Sequence, residues 1–373
     1  MAARAHPLWL LVLLLGALAA HALAGGQVWF QNNTTKVFRD DPPGEVTAVR
    51  LTAARNEVES FQIVIRAGEE VLRKVAVEVS DLTGAANTRI GADRIELFRV
   101  AYVHLPSYGR DYPDALPPWS PCDIPAGWNQ PVWVDISVPP DAAPGSYHGT
   151  ISIHPEHGPV TEWPLELMVW DFALPVTPRS RTSFGIYQEG IAFQHGVELG
   201  GEQHRSLVRK YCEMLVAHRA MPRDLVVGAL ESPEAERYLD DPRVNAFMLP
   251  YSDDVAVLKR QAAYVRQKGW LAKAYYYVMD EPTSKEHYDL LRERAAKIQG
   301  VDPELKVMLP YHGEPRFEAE GGVYGLLTGL CDIWCPNLSF YREDALTARQ
   351  KLGEEVWVVR VLGTGRALSQ PAG

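Results

Sequence analysis

The periodicity of this chain changes once, at Pro175-Val176-Thr177-Pro178-Arg179-Ser180, and that change commits it to two differently built halves. Two prolines stiffen the stretch and remove backbone donors, so neither a helix nor a paired strand passes through it. Before it, short strand-like runs at 60–65, 74–79, 132–138 and 163–170 are separated by turn formers, notably Pro139-Pro140-Asp141 and Pro144-Gly145. Such runs, with no helical spacing between them, predict an antiparallel β-sandwich over residues 27–178. After it, helical spacing at 202–220, 253–269 and 284–300 alternates with strand-like runs at 183–187, 225–229, 247–250, 272–279, 305–310, 332–336 and 356–361. That alternation predicts a parallel (β/α)8-type barrel over 182–362, followed by a tail at 363–373. Seven candidate strands, on fewer residues than the roughly 250 typical of the fold, leave two expectations: a barrel incomplete at its C-terminal end, as in a fragment, or an atypical barrel that closes in another way.

At the N-terminus, Arg4 and His6 lead into an unbroken apolar run at 8–20, and Ala22-Leu23-Ala24 offers small residues for cleavage. This is the pattern of a secretory signal peptide over 1–24, and the run is too short to span a bilayer. No cysteine follows the cleavage site, so the expected destination is secreted or periplasmic, without a lipid anchor or a membrane partner after cleavage. The formal charge of −10, with no basic block, argues against a nucleic-acid partner, whereas a neutral glycan fits it. Cys331 and Cys335 would lie ~13 Å apart on one strand, too far to bridge, and no second pair has zinc-binding spacing. No phosphate-cradling glycine loop, serine nucleophile elbow or His-Glu-x-x-His motif is present, so neither cofactor nor metal is expected.

The stretch that carries chemistry is Tyr275-Tyr276-Tyr277-Val278-Met279-Asp280-Glu281-Pro282. A strand with so little polar character is buried on both faces, as parallel strands are. Ending it on two acids is costly unless they stand at a cleft, and in a barrel that end is the active face. Asp280 and Glu281 therefore read as the acids of a glycosidase. Around them, Tyr187, Tyr275 and Tyr277 are either sugar contacts or barrel packing. His312 and Asn337 fall just beyond strand-like runs, where active-face residues belong, and Trp334 is either a sugar platform or core. In the first half, Asn56, Glu57 and Gln62 read as a hydrogen-bond network rather than a site.

Several segments together resemble glycoside hydrolase family 123, whose sequences also fall under a domain of unknown function numbered 4091. In the first half these are Ala54-Arg55-Asn56-Glu57-Val58-Glu59-Ser60-Phe61-Gln62, Tyr112-Pro113-Asp114-Ala115-Leu116, Trp133-Val134-Asp135, Pro144-Gly145-Ser146-Tyr147-His148-Gly149 and Val169-Trp170-Asp171-Phe172-Ala173-Leu174-Pro175. In the second they are Leu215-Val216-Ala217-His218-Arg219 and Asp280-Glu281-Pro282. The resemblance implies a β-sandwich followed by a catalytic barrel. It also implies release of terminal β-linked N-acetylgalactosamine from glycans or glycolipids, with retention. Carried over by position, Asp280 stabilises the substrate's own 2-acetamido group and Glu281 is the general acid/base. Two other outcomes are a glycosidase of other specificity and a non-catalytic glycan-binding remnant.

Overall fold

A computed structural model describes residues 25–45, 48–224, 229–311 and 313–359. The expected leader, the tail at 363–373, His312 and most of the run at 225–229 lie outside the described residues. The chain divides into two compact units, Met1–Pro175 and Val176–Gly373.

The first unit is built of strands. They are β1 Gly26–Asn32, β2 Val49–Arg55, β3 Val58–Ala67, β4 Leu72–Val79, β5 Leu82–Thr83, β6 Arg89–Ile90 and β7 Ile95–Arg99. There follow β8 Tyr102–Leu105, β9 Arg110–Pro113, β10 Cys122–Ile124, β11 Asn129–Ser137, β12 Gly145–His154 and β13 Thr161–Ala173. One sheet has the order β1-β3-β11-β7 and a second β10-β4-β12-β13-β2, while β8 and β9 form a separate hairpin. Alternation explains why the two larger sheets meet. Phe61, Ile63 and Ile65 of β3, with Val132, Val134 and Ile136 of β11, share one core with Val75, Val77, Ile151, Ile153, Leu165 and Leu167 of the second sheet. Each such side chain contributes about 1.5–3 kcal/mol on burial, so register is strongly specified.

One expectation fails here. β2 runs parallel to β13, so the second sheet is not wholly antiparallel. No tight hairpin joins these two strands, and only a tight hairpin forces the antiparallel sense. The polar network is as read: Asn56 Nδ2 donates to the Leu174 carbonyl at 2.9 Å, and Gln62 Nε2 donates to the carbonyls of Asn32 and Thr35 at 2.9 and 2.8 Å. Asn56 takes the left-handed conformation, with φ 61°, in the two-residue turn between β2 and β3.

The second unit alternates helices with parallel strands. Its elements are α1 Gln188–His195, α2 Glu202–Ala217, α3 Pro233–Leu239, β14 Phe247–Leu249, α4 Val255–Gln267, β15 Ala274–Tyr277, α5 Lys285–Val301, β16 Lys306–Tyr311, α6 Gly322–Leu326, β17 Ile333–Pro336, α7 Glu343–Gln350 and β18 Glu355–Val356. The strands β14 to β18 pair in sequence order, all parallel. Two further extended stretches prolong the sheet beyond β14. Phe184 bridges Pro222, and the Met248 amide donates to the Arg223 carbonyl at 2.9 Å.

This sheet curls strongly. Tyr275 and Trp357 lie three strands apart, ~14 Å on a flat sheet, yet their rings meet edge to face at 5.5 Å. Ser183 shares a 2.7 Å hydrogen bond with the Tyr275 hydroxyl, and Arg181 reaches Glu355 at 3.0 Å. The first and last stretches are thus joined by an ion pair across the concave face. The four cysteines 122, 212, 331 and 335 are all free, and the last three are buried.

Candidate active site

Strand register sorts the site residues into two faces. Tyr275, Lys306 and Glu355 occupy the concave face, as do Tyr277, Met308, Ile333 and, beyond Ile333, Cys335 and Asn337. Tyr276 and Trp334 point the other way, into the helix layer. The Tyr276 hydroxyl donates to Gln261 Oε1 of α4 at 2.8 Å.

β15 lies in the middle of the sheet and its pairing ends at Tyr277. The Arg294 guanidinium of α5 donates to the Val278 carbonyl at 2.7 Å, which anchors the chain as it leaves the strand. Asp280 and Glu281 follow, and Ser284 then caps α5, its Oγ accepting from the His287 amide at 3.3 Å. The two acids therefore sit in the turn from a central parallel strand to its helix, at the carboxyl end of the sheet.

Asp280 is exposed, and its Oδ1 accepts a 2.7 Å hydrogen bond from the Tyr277 hydroxyl. Burial first, and the Asp280 carboxylate second, hold the Tyr277 phenol well above its usual range, so it is a protonated donor. Glu281 is half-buried and holds φ 37°, a left-handed backbone that a glutamate adopts only at a cost of order 1–3 kcal/mol. Such strain persists where the surroundings over-determine a geometry, and functional turns are where it clusters.

The concave face brings two more polar groups to this end. Arg223 lies with its guanidinium 5.1 Å from the centre of the Tyr277 ring. Its Nε is buried without a hydrogen bond among the described residues and stands 3.6 Å from Asp224 Oδ1. Sequence reading missed Arg223, because the predicted strand began at 225, three residues after the Phe184–Pro222 pairing. Asn337 is only 2% exposed. Its Oδ1 accepts from the Ser339 amide at 3.0 Å, which fixes the amide's orientation, and its Nδ2 has no partner among the described residues.

Two of the expected contacts become core. Trp334 is fully buried on the convex side, against Tyr311 and Tyr324, with its indole N–H donating to Glu354 Oε2 at 2.5 Å. It offers no face to a sugar, because strand alternation turns it away from the lumen. Tyr275 is on the concave side but 1% exposed, enclosed by Ser183 and Trp357, and burial lifts its phenol to about 12. Tyr187 is 74% exposed, on a shallow cleft of about 370 Å³ between α1 and α2 shared with Tyr211 and Met214. A cavity of about 130 Å³ between α2 and α3, lined by Cys212 and Tyr238, contains none of the candidate residues. Among the described residues, no group of three or more His, Cys, Asp or Glu side chains is placed to hold a metal ion.

Comparison with known proteins adds a family to this geometry. Residues 33–155 match the glycoside hydrolase 123 N-terminal domain. Of solved structures, a family 123 glycoside hydrolase from Clostridium perfringens, described for glycolipid glycan hydrolysis, superposes with a TM-score of 0.68. It is 13% identical, and the match covers 89% of this chain and 72% of that one, a likeness of fold. The sporulation control protein Spo0M of Bacillus subtilis (11% identity, TM-score 0.21) covers 41% of this chain and 52% of its own. A DUF4466 family protein of Parabacteroides merdae (12% identity, TM-score 0.22) covers 38% of this chain and 43% of its own. No curated protein matches the sequence.

Proposed function

We propose, from the match of residues 33–155 to the glycoside hydrolase 123 N-terminal domain, that the chain is an exported glycosidase releasing terminal β-linked N-acetylgalactosamine from glycans or glycolipids. In this reading a β-sandwich precedes a (β/α)8-type barrel, and the concave end of the curled sheet is the active face. The observation that carries it is the adjacent pair Asp280 and Glu281, at the end of the central parallel strand, with Asp280 held by Tyr277.

Adjacency itself selects a mechanism. Two-carboxylate glycosidases place their acids on opposite sides of the scissile bond, about 5 Å apart when retaining. Sequence neighbours have Cα atoms ~3.8 Å apart and diverging side chains, and are poorly placed to attack one carbon from opposite sides. Participation by the substrate removes that demand. The acetamido carbonyl oxygen attacks C1 as the glycosidic bond breaks, and Glu281 passes its proton to the leaving oxygen. Asp280 stabilises the positive charge that develops on the acetamido nitrogen. Glu281, now a carboxylate, takes a proton from water, which attacks C1 and reopens the oxazolinium ring with net retention. Tyr277 serves this step through Asp280, while Asn337 offers a donor to a sugar oxygen.

The reading is tested with p-nitrophenyl β-N-acetylgalactosaminide against the β-galactoside lacking the acetamido group. Hydrolysis of the first alone is expected, and equal rates on both would reject participation. A second variant probes the sugar contact. Asn337→Asp keeps the acceptor for the Ser339 amide but replaces the unpartnered donor, so KM is expected to rise about two- to twelvefold, one lost hydrogen bond, with a lower melting temperature because a carboxylate is placed at a buried position. An unchanged KM would leave Asn337 a capping residue only.

A further inference from the structure

Resting on that reading, we propose that Arg223 and Tyr277 form a positioning relay for Asp280: the guanidinium packs on the phenol ring, and the phenol hydroxyl aims the carboxylate. The links are Arg223 to the Tyr277 ring at 5.1 Å and the Tyr277 hydroxyl to Asp280 Oδ1 at 2.7 Å. Neither Arg223 nor Tyr277 needs to touch sugar.

The surroundings favour a relay over chance packing. The aromatic face is electronegative, so a cation over it is attracted, and it draws electron density from the ring. That strengthens the phenol as a donor to the carboxylate. Arg223 is seated for this by its neighbours: its amide donates to the Phe184 carbonyl at 2.8 Å, and its own carbonyl accepts from Met248. A Cβ at Gly185 would come within 3.1 Å of the Arg223 Nη2, so the glycine leaves the guanidinium its place. Asp224, 3.6 Å from Nε, steadies the guanidinium without replacing the ring. Asp280 is otherwise exposed and on a turn, where a single carboxylate samples several rotamers. A fixed donor on one oxygen leaves the other free to face an acetamido N–H.

The experiment is a set of mutant cycles on the full chain, reading kcat and KM on the aryl N-acetylgalactosaminide. Tyr277→Phe is expected to lower kcat about ten- to a hundredfold with little change in KM, the cost of a misdirected group. Arg223→Met is expected to lower kcat about three- to tenfold, whereas Arg223→Lys, which keeps a cation over the ring, recovers most of it. The deciding measurement is coupling. In an Asp280→Asn background Tyr277→Phe should cost nothing further, and in a Tyr277→Phe background Arg223→Met should cost nothing further. Losses that multiply in either background overturn the relay, as does an Arg223→Met variant that raises KM and spares kcat, which would make the arginine a direct sugar contact. Melting curves on the same variants separate loss of fold from loss of alignment. The reading beneath fails independently, if the wild-type chain hydrolyses the β-galactoside as fast as the N-acetylgalactosaminide.

Discussion

Glu281→Gln is expected to lose about 10²- to 10⁴-fold in turnover of the aryl N-acetylgalactosaminide, with the chain folded as before. Glutamine preserves shape and hydrogen bonding but can neither give a proton to the leaving oxygen nor take one from water. The loss has a chemical signature. A leaving group that departs as a stable anion needs no proton, so 2,4-dinitrophenyl substrates should recover the first step. Azide, which needs no general base, should then restore turnover by attacking the oxazolinium. The backbone supplies a counter-check of opposite sign: at φ 37°, Glu281→Gly relieves left-handed strain and should stabilise the fold by roughly 0.5–1 kcal/mol while abolishing turnover. Near-normal turnover of the glutamine variant would end the assignment.

Trp334→Ala should act on stability and spare recognition. The indole is fully buried, packed on two tyrosines, and lies 5.3 Å beneath the Arg349 guanidinium. Its N–H donates to Glu354, whose carboxylate also binds Arg349 on both oxygens at 2.5 and 2.6 Å. Removing a large buried aromatic costs about 3–5 kcal/mol, and here it also strips a donor from a nearly enclosed carboxylate. For a unit of this size that is a fall of roughly 6–20 °C in melting temperature. A variant that melts as the wild type but binds sugar weakly would show that the ring faces the substrate after all.

Much of the fold was legible. The runs at 60–65, 74–79 and 163–170 lie within β3, β4 and β13, and the helices at 202–220, 253–269 and 284–300 correspond to α2, α4 and α5, because alternation and helical spacing are local properties. The short helices α1, α3, α6 and α7 were not read, having too few turns to build a period. Trp334 and Tyr275 could not be sorted in advance. In a parallel strand covered on both sides every position is apolar, so nothing marks which residues face the lumen. Arg223 escaped notice because the expected strand began at 225, and because its partner is a tyrosine 54 residues along the chain, reached only as the sheet curls.

The order of residues alone determined the two periods, the break between them, and the placing of two carboxylates directly after a central apolar strand. Tertiary structure decided the rest: which face each strand residue shows, that the Tyr277 hydroxyl donates to Asp280, and that Asn337 Nδ2 has no partner among the described residues. The division is physical. Propensity and periodicity act over a few neighbouring residues, whereas curl and register are set by the whole sheet closing on its own side chains, and only then do distant groups acquire partners.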